Sequence, residues 1–568
     1  LDIPRDPGRV DAPRGLGTAR VVCRRQPRPA LSRLPRRRYL PADMTPLPDH
    51  PPEPIDVGVA ILGAGFAGIC MAIKLLEAGS EDFAIFEKAS TLGGTWRDNT
   101  YPGCGCDVPA HLYSYSFAQN PHWSRTYARQ PEILAYLQRV AATHDVVRRI
   151  RFDTPIDALA WDDGTRRWRL TTSDGRTFTA RVVVSAVVAL HVPKSPNLPG
   201  SDSFAGIAFH SACWRHDVDL AGRNVAVIGS GASAIQFIPE IAAEVGRLTV
   251  FQRSPPWVLP RRDREVSGLA RGIFARVPGA LRLWRAIQYW RAESVALGLA
   301  YKPKLMGRGQ KRSAAFKERE IADPSLRLKL NPFYTLGCKR ALLSDDFYAT
   351  MTRPHIDLVT EPIREVRPRA IVTADGREHP CDVIIHATGF EPFNPAAGMT
   401  VRGRGGRRLA DDWQAGPQAF RGVAVAGYPN YFLLMGPNSG LGHNSIVFMI
   451  EAQVRYVMQC LRWLDEGRLA EVEVREDVQR EYNERLQSRF ARTVWRDTQG
   501  SAWQLPCTSW YARPGGRNVA LWPGLSAGYW LAMRRADIGD YVPTVVTAAA
   551  DTPPASPGVG PGIRSPAA

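Results

Sequence analysis

Two stretches of the chain share one layout, and that layout fixes most of what the chain can fold into. The first is "VGVAILGAGFAGICMAIKLLEAG" at 57–79; the second is "RNVAVIGSGASAIQFIPEIAAEVG" at 223–246. Each runs from a short β-branched strand through a Gly-rich turn into a helix with apolar residues at helical period. A second apolar strand follows each, "FAIFEK" at 83–88 and "LTVFQR" at 248–253. The pattern predicts β-turn-α-β twice. One G-x-G-x-x-G says little. Two, each between strand and helix, predict an α/β fold with two Rossmann-like dinucleotide-binding domains.

The two turns differ in an informative way. Gly63, Gly65 and Gly68 fill the three fingerprint positions of the first unit. They serve the tight turn, the close approach of a pyrophosphate and the packing of helix on strand, with the helix N-terminus toward the phosphates. Glu87 ends the next strand, where a carboxylate accepts hydrogen bonds from ribose hydroxyls. This unit suits the adenosine half of FAD or NAD. In the second unit Gly229, Gly231 and Ala234 take the same places, with Ser233 in the turn, and the position equivalent to Glu87 is Arg253. A carboxylate would repel a 2′-phosphate, whereas Arg pairs with it. The second site is therefore read as one for NADPH. A chain with an FAD site and an NADPH site is an oxidoreductase.

Charge adds less than its size suggests. The formal net charge is +18, but residues 1–43 hold eleven Arg and four Asp and carry +7 of it. That Pro-rich head precedes the first Met, Met44, and is expected to lie outside the fold as a disordered tail or upstream translated sequence. No specific nucleic-acid motif accompanies the charge, and no apolar run is long enough for a transmembrane helix. The nine cysteines are scattered without a CxxC or a Cys/His ligand spacing. Neither a disulfide framework nor a metal site is expected, and the cytoplasm is the natural compartment. Cys104-Gly105-Cys106 alternates across an extended segment, which disfavours a bridge. Cys70 is single and lies in an apolar helix. A disulfide reductase would need a reactive pair beside the flavin, so the electrons go elsewhere.

The expected organisation is a head (1–50), a first FAD-binding part (51–190), an NADPH-binding domain (191–388), a second FAD-binding part (389–545) and a disordered tail (546–568). The NADPH domain carries an insertion at about 263–330, basic, helical and Trp-bearing. It is open to two readings, a membrane-surface helix or an insertion packed on its own domain, and the second is the expectation.

Residues 204–214, "FAGIAFHSACW", resemble the F-x-G-x-x-x-H-x-x-x-W signature of class B flavoprotein monooxygenases, the Baeyer–Villiger monooxygenases in particular. Phe204, Gly206, His210 and Trp214 match; Arg215 stands where the family usually has Pro or Asp. "GGTWRDNTYPGCGCD" (93–107), "LGCKR" (336–340), "DVIIHATGF" (382–390) and "MGPNSGLGHNS" (435–445) resemble further segments of that branch. In the first linker Val187 replaces a common Gly. Together the matches span about residues 57–540.

The resemblance implies that NADPH reduces FAD and that reduced flavin takes O2 to a C4a-peroxyflavin, which attacks a ketone to give an ester or lactone. It implies that Arg340 is the catalytic cation and that Asp107 pairs with it or orients it near the flavin. Gly94, Thr95, Trp96 and Tyr113 are implied flavin contacts. Ser254 and Lys339 would join Arg253 at the 2′-phosphate. Phe204, Gly206, His210 and Trp214 would organise domain motion rather than proton transfer. The expected partners are a small-molecule ketone and O2. Two alternatives stand beside this: an N- or S-oxygenating enzyme on the same scaffold, and a flavoprotein without turnover that acts as a sensor. Neither the particular ketone nor the oligomeric state is readable.

Overall fold

The computed structural model describes residues 55–187, 191–391, 398–496, 509–512 and 517–544. The head and the tail lie outside the described residues.

Both glycine units fold as the pattern predicts. Strand Ile55–Leu62 leads through the turn into helix Phe66–Glu77 and returns as strand Phe83–Phe86. Strand Asn224–Ile228, helix Ala234–Ile241 and strand Arg247–Phe251 repeat the sequence. All four residues of "FAIF" are buried, as expected of a parallel strand covered on both faces.

The first sheet has a parallel core in the order Ile150–Arg151, Phe83–Phe86, Ile55–Leu62, Thr177–Ser185. Strand Thr177–Ser185 has two neighbours on its far side. Its first half pairs antiparallel with Arg167–Thr172, from Thr171↔Thr177 to Trp168↔Ala180. Its second half pairs parallel with Tyr431–Leu433. The chain thus returns to this sheet after the second nucleotide unit, and Thr400–Arg402 joins it as well, beside Ile156–Asp162. Helix Phe66–Glu77 packs against the long, largely buried helix Ile446–Asp465. No helix among the described residues is long and apolar enough to cross a membrane.

The second sheet is wholly parallel, in the order Ile356–Val359, Arg247–Phe251, Asn224–Ile228, Val383–His386, Ile207–His210. A three-stranded antiparallel sheet, Ile363–Arg367, Ala370–Thr373 and Glu378–Pro380, is inserted before the strand that leads back.

The insertion is helical at Gly268–Arg276, Ala280–Ala296, Met306–Glu320 and Pro324–Lys329, but its packing corrects the expectation. Met306–Glu320 does sit on the second unit, where Ser313 Oγ donates to the Val258 carbonyl at 2.7 Å. Ala280–Ala296 does not. Its buried Arg285 donates to the carbonyls of His111 and Leu112 at 2.8 and 3.0 Å. Its buried Glu293 accepts from Ser526 Oγ at 2.6 Å, Asn444 Nδ2 at 2.9 Å and the Ala527 amide at 3.0 Å. Two ionic groups on one helix are thus spent on segments flanking the first sheet. A buried charge needs partners, and here the partners decide where the helix docks.

The cysteines also differ in part from expectation. Cys70, Cys104, Cys106, Cys381 and Cys460 are buried free thiols. Cys213 and Cys338 are disulfide-bonded. The cysteines nearest in sequence to Cys213 are Cys106 and Cys338. Any bridge it makes is therefore long-range, and local spacing carries no signal for it.

Candidate active site

The first glycine turn is built to bring bare backbone together. Gly63 has φ +100°. A Cβ on Gly68 would lie 1.9 Å from the Gly63 carbonyl oxygen, so only glycine lets the helix start there. Gly65 faces a second bare turn. A Cβ on Gly94, which has φ +52°, would stand 3.2 Å from the Gly65 Cα. Two glycine turns that abut with no side chain between them form a cradle suited to a pyrophosphate. Glu87, buried at the strand end, accepts from the Ala64 amide at 2.9 Å, the Ala89 amide at 3.0 Å and Arg97 Nη1 at 2.9 Å. A carboxylate offers about four acceptor positions, so one remains for a ribose hydroxyl. These residues fit the adenosine half of FAD. Gly94 caps the short helix Thr95–Asp98, which carries Trp96. Trp96 Nε1 donates to the Tyr113 hydroxyl at 3.1 Å, with the two rings edge-on at 5.6 Å.

The second turn also fits a dinucleotide. Gly229 has φ +110°, and a Cβ there would come within 2.5 Å of the Ala387 carbonyl. A Cβ on Gly231 would meet nothing within 4 Å, which leaves the backbone open above the turn. Ser233 stands at the position just before the helix that begins at Ala234, with no side-chain bond to the helix amides. At the following strand end, Lys339 Nζ donates to Ser254 Oγ at 2.8 Å and lies over the Tyr334 ring. Burial, and then the neighbouring charge of Arg253, lower the Lys339 pKa. A lysine whose charge is opposed by a neighbouring cation makes a site that a dianion would relieve. The sequence-read trio Arg253, Ser254 and Lys339 is therefore brought together.

So is the pair read at 107 and 340. Arg340 Nε donates to Asp107 Oδ2 and Nη2 to Oδ1, both at 2.6 Å. This is a fork-on-fork pair between residues 233 apart in sequence. Nη1 reaches the Leu441 carbonyl at 3.4 Å. Burial alone would raise the Asp107 pKa, but the charge and the two donors of Arg340 outweigh it and hold the carboxyl below its usual range. The Asp107 charge in turn lifts Arg340, against the effect of burial. Both groups are therefore ionised at any working pH. Three of the five guanidinium N–H groups have these partners. The Arg340 side chain is 34% exposed, and two N–H groups are left beyond these three.

The signature residues lie elsewhere, around the edge strand Ile207–His210. A Cβ on Gly206 would sit 2.3 Å from the Asp382 carbonyl and 2.6 Å from the Phe204 ring. His210 pairs in register with His386 and stacks edge-on with Phe390; its Nδ1 accepts from the Ala212 amide at 3.1 Å. Burial and His386 push its pKa down to about 4, so it is neutral. Trp214 packs on Phe209 and Phe237. Arg215, the departure from the family pattern, is tied to its neighbour Asp217.

Sequence reasoning missed the clasp that joins the two units. Gln236, on the second glycine helix, accepts from the Tyr101 hydroxyl at 3.0 Å and the Gly105 amide at 3.3 Å, and donates to the Gly105 carbonyl at 3.1 Å. Arg261 donates to the Cys106 carbonyl at 2.9 Å. Cys104 and Cys106 thus flank a junction. Burial pushes the Cys104 thiol up to about 11 and raises that of Cys106 further, so neither is a thiolate. Gln236 had a signal, as the one polar residue in "AIQFI" after the turn. Glu293 had one too, as the single acid between 267 and 305. Tyr511, a buried phenol beside Arg340 and Asp107, had none.

Comparison with known proteins completes the picture. The family described as "Pyridine nucleotide-disulphide oxidoreductase" matches residues 60–270. A Baeyer–Villiger monooxygenase of Pseudomonas aeruginosa is 45% identical over 493 residues, 87% of this chain and 92% of that protein. Among solved structures, an oxidised steroid monooxygenase bound to NADP superposes with TM-score 0.76 at 29% identity, covering 87% of this chain and 100% of that one. OTEMO in complex with FAD and NADP gives 0.75 at 26%, covering 84% and 97%. With two nucleotide cradles, a forked cation–carboxylate pair and a relative this close over most of both chains, the protein belongs to the Baeyer–Villiger monooxygenase family of FAD- and NADPH-dependent enzymes.

Proposed function

We infer that the protein inserts one oxygen atom of O2 into the C–C bond beside a ketone carbonyl, giving an ester or lactone, and that Arg340 is the residue on which that step turns. The observation that carries this reading is the Arg340–Asp107 fork with two guanidinium N–H groups left over. FAD, when bound and reduced by NADPH, supplies the activated oxygen. The chain's own residues do the rest. The turns at Gly63–Gly68 and Gly93–Gly94 and the carboxylate of Glu87 hold the flavin nucleotide, with Trp96 and Tyr113 beside it. Gly229–Ala234 hold the second pyrophosphate, and Arg253, Ser254 and Lys339 its 2′-phosphate. Asp107 fixes the guanidinium plane so that its free edge is aimed before any charge develops. The ketone oxygen becomes anionic on attack, and a preorganised permanent cation stabilises that anion without reorientation. Phe204, Gly206, His210 and Trp214 position the linker to the second sheet. His210 is neutral and distant in role from proton transfer. The FAD-binding part comprises 51–190 with 389–545, and the NADPH-binding part 191–388. The scattered cysteine spacing favours the cytoplasm as the enzyme's compartment.

The test is a product screen. Purified holoenzyme with NADPH and air is offered ketones and sulfides, and products are weighed for gain of one oxygen. Esters or lactones are expected. Sulfoxides alone, with every ketone untouched, would return the reading to an S-oxygenase. Failure to oxidise NADPH at all would return it to a sensor.

The cation pair at the second site gives a separate expectation. Lys339→Ala lowers the preference for NADPH over NADH about ten- to a hundredfold, the worth of one charge-assisted hydrogen bond. The loss appears in kcat/KM for NADPH, while that for NADH barely changes. Equal losses with both cofactors would remove Lys339 from the phosphate site.

A further inference from the structure

We propose that the outer face of the helical insertion is a docking surface for anionic membrane lipid. A helix at the surface of a water-soluble fold turns its apolar stripe inward. Helix Ala280–Ala296 does so with Tyr289, which rings against Phe448, and with Arg285 and Glu293. It also carries a second stripe. Leu283, Ile287 and Trp290 follow helical spacing on the opposite side, at 64, 41 and 61% exposure. The preceding helix, Gly268–Arg276, adds Leu269 at 77% and Ile273 at 41%, and Val277 follows at 51%. Leu297, Tyr301 and Leu305 extend the surface past the helix end. This is a concentrated patch, not a scatter of single apolar residues.

The charge around it selects the occupant. Between 267 and 305 the charged residues are Arg271, Arg276, Arg282, Arg285, Arg291, Lys302, Lys304 and Glu293. Arg285 and Glu293 are buried in the docking to the protein body. The six that remain are all cations, and none of them forms an ion pair among the described residues. A second copy of the chain seated here would set like charge against like. Lipid satisfies both halves of the surface. Aliphatic side chains and Trp290 enter the acyl boundary, and long cationic side chains reach back to phosphate headgroups. The active site lies behind this face. Glu293, one turn from Trp290, holds Asn444, in the same loop as the Leu441 carbonyl that meets Arg340. Leu299 packs where a Cβ on Gly337 would come within 2.3 Å of it, three residues before Arg340.

The full-chain holoenzyme is sedimented with vesicles of phosphatidylcholine alone and of phosphatidylcholine with phosphatidylglycerol in a two-to-one ratio. It is expected to pellet with the mixed vesicles and much less with the neutral ones. Replacing Leu283, Ile287 and Trp290 together by Ser lowers partitioning at least about tenfold, through lost apolar burial alone. Bound FAD and NADPH oxidation in solution stay at the parent level, which shows the variant is folded. Trp290→Phe pellets like the parent but loses most of its fluorescence quenching by brominated lipid tails. The Arg-rich head attracts anionic vesicles by charge alone, so mixed-vesicle binding that the triple Ser variant leaves intact would overturn the proposal. So would no pelleting with either vesicle, or a dimer in sedimentation velocity that the triple variant dissolves.

Discussion

Arg340→Ala is expected to cost about 10²–10³ in the rate of ester formation, the usual loss when one preorganised donor to a developing oxyanion is removed. Flavin reduction by NADPH proceeds, because the nucleotide cradles do not use Arg340. NADPH consumed without product then appears as hydrogen peroxide, and the ratio of ester to peroxide is the quantity to measure. The alanine variant also leaves Asp107 as an unpaired anion in a site where burial opposes its charge. Arg340→Lys separates the two effects. It keeps the positive charge, so Asp107 remains paired, but a point charge cannot hold the carboxylate on two donors and still offer two more to substrate. The lysine variant should retain the fold and FAD fully and recover only a small part of the ester yield. An unchanged yield per NADPH in either variant would remove Arg340 from the chemistry.

Glu293→Ala carries the largest stability effect. It strips the acceptor from Ser526, Asn444 and the Ala527 amide, and removes the carboxylate beside the buried His443 side chain. Each buried donor left without its acceptor costs about 1–3 kcal/mol. Glu293→Gln refines this with pH. Burial alone would raise the carboxyl pKa, but His443, Ser526, Ala527 and Asn444 together depress it from 4.5 to about 2. A depressed folded-state pKa contributes stability that is full above the unfolded value and is lost as pH falls through the folded value. The window is therefore about pH 4.5 down to about 2, and the contribution is about 3 kcal/mol. The stability difference between parent and Glu293→Gln should be constant above that window and shrink within it. A difference that does not vary below pH 4.5 would show that Glu293 titrates normally.

The two nucleotide units were legible because each of their constraints is local. Gly68 must be glycine because a carbonyl five residues back occupies the space of its Cβ, and such a rule is written in a few consecutive letters. The Arg340–Asp107 pair was legible only through short motifs, since nothing in either stretch points to the other across the intervening domain. The seating of the insertion was misread because amphipathic spacing says that a face is buried and not against what. Glu293 stood out as the lone acid in a basic run, yet only the fold reveals that Asn444 and Ser526 wait for it. Arg285, one of seven cations in the same run, carried no mark at all. The bridged state of Cys213 and Cys338 likewise depends on approach in space, which spacing cannot encode.

The clasp at Gly105 bears on how such a chain can be recombined. Gln236 engages the backbone of Gly105, amide and carbonyl both, and adds one side-chain partner in that segment, the Tyr101 hydroxyl. The two backbone bonds do not depend on which side chains flank Gly105, provided position 105 stays bare: a Cβ there would press to 3.0 Å from the Ala128 carbonyl. A chimera that exchanges the second nucleotide unit for another protein's keeps this part of its fit to the first unit through one amide side chain and one missing methyl group. Crossover points chosen to keep that amide opposite that glycine should yield hybrids in which the halves stay in register even where their surfaces have diverged.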